Sequence, residues 1–154
     1  MSKKITTSLW FDSNAEEAAN FYTSVFKDSK ITNISRYGDV GPGPKGSVMV
    51  VGFELNGHSF IGINGGPHFQ FSPAISMVIN CETQDEIDYY WDRLVEGGAP
   101  SQCGWLTDKY GLSWQVVPTM INELMNDADK GNRVMAAVLK MVKLDIAELQ
   151  RAAA

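Results

Sequence analysis

The chain has 154 residues, 44% hydrophobic and 20% charged, which is the size and balance of one globular domain with a real core. Its 13 basic and 18 acidic residues give a formal net charge of −5, and the basic ones are scattered, which argues against a nucleic-acid surface. No run approaches the roughly 20 apolar residues of a membrane span, and the basic start leads into an alternating segment, not a signal core, so a cytoplasmic protein is expected.

Residues 5–11 carry Ile5, Leu9 and Phe11 among β-branched and aromatic neighbours, and a strand is predicted there. Asp12, Ser13 and Asn14 offer an N-cap. Over residues 15–26, Ala18, Phe21, Tyr22, Val25 and Phe26 recur at helical spacing, an apolar stripe suited to packing on a sheet. Residues 31–37 and 47–55 read as strands separated by a Gly/Pro-rich loop. Asn56-Gly57 is a strong hairpin signal, with residues 58–64 as the return strand. The order is βαβββ.

After Gly65-Gly66-Pro67 the pattern restarts. Residues 74–80 read as a strand, and Glu82, Thr83, Gln84 and Asp85 suit a helix N-terminus. Ile87, Tyr90, Trp91, Leu94 and Val95 form the next stripe, which Gly97-Gly98 stops. Residues 105–106 and 112–117 flank Lys109-Tyr110-Gly111 as a second hairpin. The two helical stripes align at one constant offset, the sign of a duplicated module. Each half buries one face of its sheet, so the halves are expected to pack together. The expected division is a pair of modules over 1–118 (about 1–66 and 67–118) and a helical extension over 119–154. That extension carries Ile121, Leu124 and Met125, a break at 127–131, then Val134, Met135, Val138, Leu139 and Val142, then Ile146 and Leu149. It is expected to cover a sheet edge or to grip a second subunit.

Gly41-Pro42-Gly43-Pro44-Lys45-Gly46 matches GxGxxG in letters alone. A strand follows it, and two prolines remove N–H donors, so it reads as a loop beside a cavity, able to act as a lid, and not as a dinucleotide site. Cys81 and Cys103 make neither a disulfide framework nor a CxxC pair. Both read as small half-buried residues, with Cys103, in a polar loop, the better candidate for a reactive thiol. His58 follows the hairpin turn and should be exposed. His68, between Pro67 and Phe69, reads as a surface-loop or cavity-wall residue. Trp91 reads as core, whereas Trp10 and Trp114 suit either core or cavity wall.

Six segments carry a family resemblance: Ala15-Glu16-Glu17-Ala18-Ala19-Asn20-Phe21-Tyr22, Asn64-Gly65-Gly66-Pro67, Asn80-Cys81-Glu82-Thr83, Gln102-Cys103-Gly104-Trp105-Leu106, Asp108-Lys109-Tyr110-Gly111 and Ser113-Trp114-Gln115-Val116-Val117-Pro118. With them, and with its tail, the chain resembles PhnB-like proteins of the glyoxalase/bleomycin-resistance, or vicinal oxygen chelate, superfamily. Members of this bacterial subgroup often carry the label 3-demethylubiquinone-9 3-methyltransferase. The resemblance implies an α+β fold of two βαβββ modules forming a half-open barrel, with a C-terminal helical tail, usually as a dimer. Metal enzymes of the superfamily use four inward ligands, one on the first and one on the last strand of each module. Carried onto this chain, those positions are Thr7, Ile61, Ala74 (or Ser76, with the register shifted by two) and Gln115. None is a histidine or carboxylate, so neither metal nor other cofactor is expected. Nor does the chain show the glycine-rich strand-to-helix turn that S-adenosylmethionine would use.

The expectation is a metal-free homodimeric protein that binds a small organic molecule and neither nucleic acid nor membrane. Thr7, Trp10, Ile61, Asn64, His68, Ala74, Ser76, Trp114 and Gln115 are the candidate lining. One alternative is a glyoxalase- or dioxygenase-type enzyme with displaced ligands, such as His68 with a carboxylate. Another is a structural dimer whose cavity is filled by side chains.

Overall fold

A computed structural model describes residues 3–154. Strand β1 (Thr7–Phe11), helix α1 (Ala15–Val25) and strands β2 (Lys30–Arg36), β3 (Val48–Leu55) and β4 (His58–Asn64) follow in the predicted order. The strands form one sheet, β1-β4-β3-β2, in which β1 runs parallel to β4 and the rest are antiparallel. The β3–β4 hairpin turns on Asn56 and Gly57, whose φ values of 47° and 81° are the left-handed pair that an Asn-Gly turn supplies. Alternate strand residues share a face. Leu9, Phe11, Val51, Phe53, Leu55 and Phe60 are buried on the face that α1 covers with Ala15, Ala18, Ala19, Tyr22 and Val25. Tyr22 stacks on Phe53 with ring centroids 6.3 Å apart, and burying rings of this size contributes about 2–3 kcal/mol each. Gly62 lets the helix come close, since a Cβ there would lie 3.2 Å from that of Ala15.

The second module repeats the order with β5 (Ser76–Cys81), α2 (Gln84–Val95), β6 (Ala99–Pro100), β7 (Trp105–Thr107) and β8 (Ser113–Pro118), forming the sheet β5-β8-β7-β6. β6 has two residues, too few for any periodicity to mark it in the sequence. Ile79, Cys81, Trp114 and Val116 are buried on the face carrying α2, whose buried residues are Ile87, Trp91 and Leu94. The chain thus forms two compact units, one ending at Gln70 and the other running from Phe71 to Ala154.

The tail belongs to the second unit. It comprises α3 (Ile121–Leu124), α4 (Ala128–Val138) and α5 (Ile146–Ala153), around a cluster of Val134, Val138, Leu144, Leu149 and Ala153. The break between the first two stripes lies at 125–127, earlier than the expected 127–131, and α4 starts at Ala128. The Asp127 carboxylate accepts from the N–H groups of Asp129 and Lys130, both at 3.0 Å, and Gly131 lies inside the helix. Those donated hydrogen bonds, Lys130's first, lower the Asp127 pKa. The side chain of Gln84 ties the tail down: its Nε2 donates to Leu144 O at 3.1 Å and its Oε1 accepts from Ile146 N at 2.8 Å. The fold is α+β, two four-stranded mixed sheets with helices and a helical C-terminal extension. Among the described residues, no helix is long and apolar enough to cross a membrane.

Candidate functional site

Asn64, at the end of β4, organises one corner of the first unit. Its Oδ1 accepts from Ala15 N at 2.9 Å and its Nδ2 donates to Val48 O at 3.1 Å. Its carbonyl accepts from the Tyr37 hydroxyl at 2.5 Å. The α1 N-cap residue, Asn14, makes no side-chain cap bond, so the cap expected from Asp12-Ser13-Asn14 comes instead from Asn64, 49 residues away. Tyr37 is also where the 38–46 loop packs: a Cβ on Gly43 would overlap its ring, and one on Gly41 would lie 3.0 Å from it.

These contacts leave a cavity of about 510 Å³ between the α1 entrance, the 38–46 loop and the chain after β4. That volume lies within the range of small-molecule sites. Asp12, Ser13 and Glu16 line one side, Pro42, Gly43 and Pro44 another, and Gly65, Gly66 and His68 a third. The GxGxxG-like loop does border a cavity. Of the candidate lining residues, this cavity gathers Asn64 and His68. Trp10 stands just behind it: its Nε1 donates to Gly66 O at 2.9 Å, its ring meets Phe69 edge-on at 4.9 Å, and a Cβ on Gly65 would overlap it. Sequence reasoning missed Tyr37, Asp12, Ser13 and Glu16: a capping role already accounted for Asp12 and Ser13, and no pattern marked Tyr37 or Glu16 as lining.

The other candidates fall differently. Thr7 does not share a face with Ile61. The parallel register pairs Ile61 with Ser8 and Thr7 with Phe60, so Thr7 lies on the helix-covered side, where its hydroxyl meets His58 Nε2 at 3.0 Å. A single-residue register error turns every side chain to the opposite face. Thr6 and Ile61 both line a second, smaller hollow of about 280 Å³ on the sheet's other side. In the second unit Ala74 precedes β5 and is exposed, so the strand position is Ser76, as in the shifted register. Gln115 Nε2 donates to Ser76 Oγ at 2.9 Å. Trp114 is core and not cavity wall: it is 2% exposed, and its Nε1 donates to Asp108 Oδ2 at 2.8 Å.

The donor set at the four positions inherited from the fold does not suit a divalent metal. Ile61 has no donor atom, and Ser76 and Gln115 are hydrogen-bonded to each other. Among the described residues no three His, Cys, Asp or Glu side chains converge as a metal site, and His68 with its neighbouring carboxylates is no exception. Nor does either cysteine serve the cavity. Burial, reinforced by the Glu86 charge, pushes the Cys81 thiol up to about 12. Cys103 packs against the tail cluster, its N–H donating to Met141 O at 2.8 Å.

The family model described as 3-demethylubiquinone-9 3-methyltransferase matches residues 3–117, so the tail lies outside the match. Among solved structures, a PhnB protein of Bacillus cereus, described with the same methyltransferase name, is 44% identical over 76% of this chain and 100% of its own, with a TM-score of 0.70. A protein of Pseudomonas aeruginosa is 20% identical over 76% of this chain and 98% of its own, with a TM-score of 0.63. A glyoxylase/bleomycin resistance protein/dioxygenase domain from Frankia sp. EAN1pec is 19% identical over 77% and 92%, with a TM-score of 0.51. No curated protein matches the chain. The paired βαβββ modules are those of the glyoxalase/bleomycin-resistance fold, and the chain belongs to the PhnB-like family named for 3-demethylubiquinone-9 3-methyltransferase.

Proposed function

We propose that this protein binds a small organic molecule without a metal, in the cavity beside α1, and that it does so as a homodimer. The cavity carries the reading. It is of ligand size, it is walled by glycines that bring backbone close to an occupant, and it holds polar side chains from three separate segments. The donor set at the inherited metal positions supports the metal-free part. The methyltransferase name enters as a family name: the 41–46 glycines precede a strand, whereas a nucleotide-type cofactor site needs them before a helix.

A thermal-shift screen of small-molecule classes tests the reading. A ligand at about 100 times its Kd stabilises the folded state by about 2.7 kcal/mol, a shift of several degrees in Tm for a chain of this length. Ser13→Trp, at an exposed lining position, should abolish that shift while leaving the ligand-free Tm in place. No stabilising class, or a shift that survives Ser13→Trp, counts against the cavity. Metal stoichiometric with purified protein and lost in His68→Ala would instead favour an enzyme with displaced ligands.

A further inference from the structure

This inference rests on the reading of the cavity as a ligand site and concerns the charge of its ligand. Asp12 and Glu16 stand in the wall, His68 is the one further titratable side chain among the lining besides Tyr37, and no lysine or arginine lines it. Neither carboxylate forms an ion pair among the described residues. The basic residues that adjoin the 37–44 part of the wall are engaged elsewhere: Lys45 pairs with Asp39 at 2.8 Å, and Arg36 donates to Gly46 O at 3.3 Å.

Much of the wall's donor capacity is already engaged, the Ser13 hydroxyl and the His68 ring being the side-chain donors that remain. The Tyr37 hydroxyl, Asn64 Nδ2 and the Ser47 hydroxyl donate to the carbonyls of Asn64, Val48 and Pro44. Gly65 and Gly66 spend their N–H groups on Phe11 O and Asp12 O. Pro42, Pro44 and Pro67 have none to give. The N-terminus of α1 favours an anion, but with only about half a charge. Its Ala15 N–H is already taken by Asn64, and Glu16 and Glu17 occupy its first turn. Asp12 and Glu16 set two acidic side chains against it in the same wall.

We propose that the cavity takes a small organic cation, an ammonium or guanidinium group held between Asp12 and Glu16 on a body that lies against Tyr37, Val48 and the prolines. Charge-assisted hydrogen bonds to the two carboxylates supply the selectivity.

The test is an NMR titration of the full ¹⁵N-labelled chain with three ligands on one scaffold: phenethylamine, 3-phenylpropanamide and 3-phenylpropanoate. Phenethylamine should shift the Gly43, Gly65 and Gly66 amides saturably and bind at least about ten-fold more tightly than the carboxylate. The Asp12→Asn/Glu16→Gln double variant, with its folded spectrum retained, should lose that preference. If the carboxylate binds as tightly, or the double variant keeps the wild-type preference, the charge inference falls while the cavity stands. If none of the three moves those amides, both readings fall.

Discussion

Asp108 is a carboxylate with 3% exposure, a placement that folding tolerates only when every polar atom is answered. Its Oδ1 accepts from Tyr110 N at 2.8 Å and Leu112 N at 3.1 Å, and its Oδ2 accepts from Trp114 Nε1. One side chain thus shapes the β7–β8 turn and fixes the indole. Asp108→Ala should cost about 3 kcal/mol in urea denaturation, because it strands two amides and a buried indole N–H. Trp114→Phe should cost less, and a double-mutant cycle between the two should show strong coupling. Cys81 makes a second case. A thiol pKa raised in the folded state stabilises fully below its ordinary value, and that contribution fades as pH rises through the folded one, so Cys81 stays protonated at neutral pH. In a Cys103→Ser variant, Cys81 should react with an aromatic disulfide reagent at pH 8 only after denaturation. The sequence offered Trp114 as core or wall without deciding. Alternation shows that Trp114 and Val116 share a face, but the deciding partner is an aspartate six residues earlier, and nothing in spacing points to it.

Among the elements, the helix starts repay comparison. α2 is capped locally: Thr83 accepts from Glu86 N at 3.2 Å, and the Glu86 carboxylate accepts from Glu82 N at 3.1 Å. The start of α2 was legible, since Glu82, Thr83, Gln84 and Asp85 put cap residues and early acids in one local run. α1 borrows its cap from Asn64, which no local pattern reveals. Asn64→Ala should therefore destabilise the chain by about 2 kcal/mol, more than an ordinary cap loss, because the anchor on Val48 goes with it. Hydrogen exchange should show the first turn of α1 and the start of β3 opening together. If only the α1 turn loosens, Asn64 is a cap and nothing more. The register at Thr7 bears on the same difference between the halves. Three residues separate β1 from α1, but two separate β5 from α2. The offset that aligns the helices is therefore one residue wrong for the strands, and Phe11 corresponds to Cys81, Leu9 to Ile79 and Thr6 to Ser76.

At the scale of the molecule, the duplicated βαβββ order was legible because long apolar stripes and an Asn-Gly turn are strong signals. The cavity was legible only in part: its Gly/Pro loop, Asn64 and His68 were named, but the rest of its wall comes from strand and helix ends and from a loop conformation that depends on one tyrosine ring. The tail leaves Met135, Leu139 and Val142 exposed at 42%, 62% and 41%, an apolar edge at the end of α4. We assign the proposed dimer contact to this edge. Light scattering should give twice the chain mass for the native protein and the single-chain mass for Leu139→Glu, with the fold unchanged. A dimer that persists in that variant would place the contact elsewhere.

The extra residue between β1 and α1 has a consequence for how two copies of one module grow apart. In the shorter connection, Glu82 and Thr83 are both committed to starting α2. In the longer one, Asn64 takes over the work at the helix start, which releases Asp12 and Ser13 to face the cavity. One more residue in a connection, answered by one asparagine on the neighbouring strand, divides labour between the halves: one loop is held to architecture, and the other has side chains left over for the cavity wall.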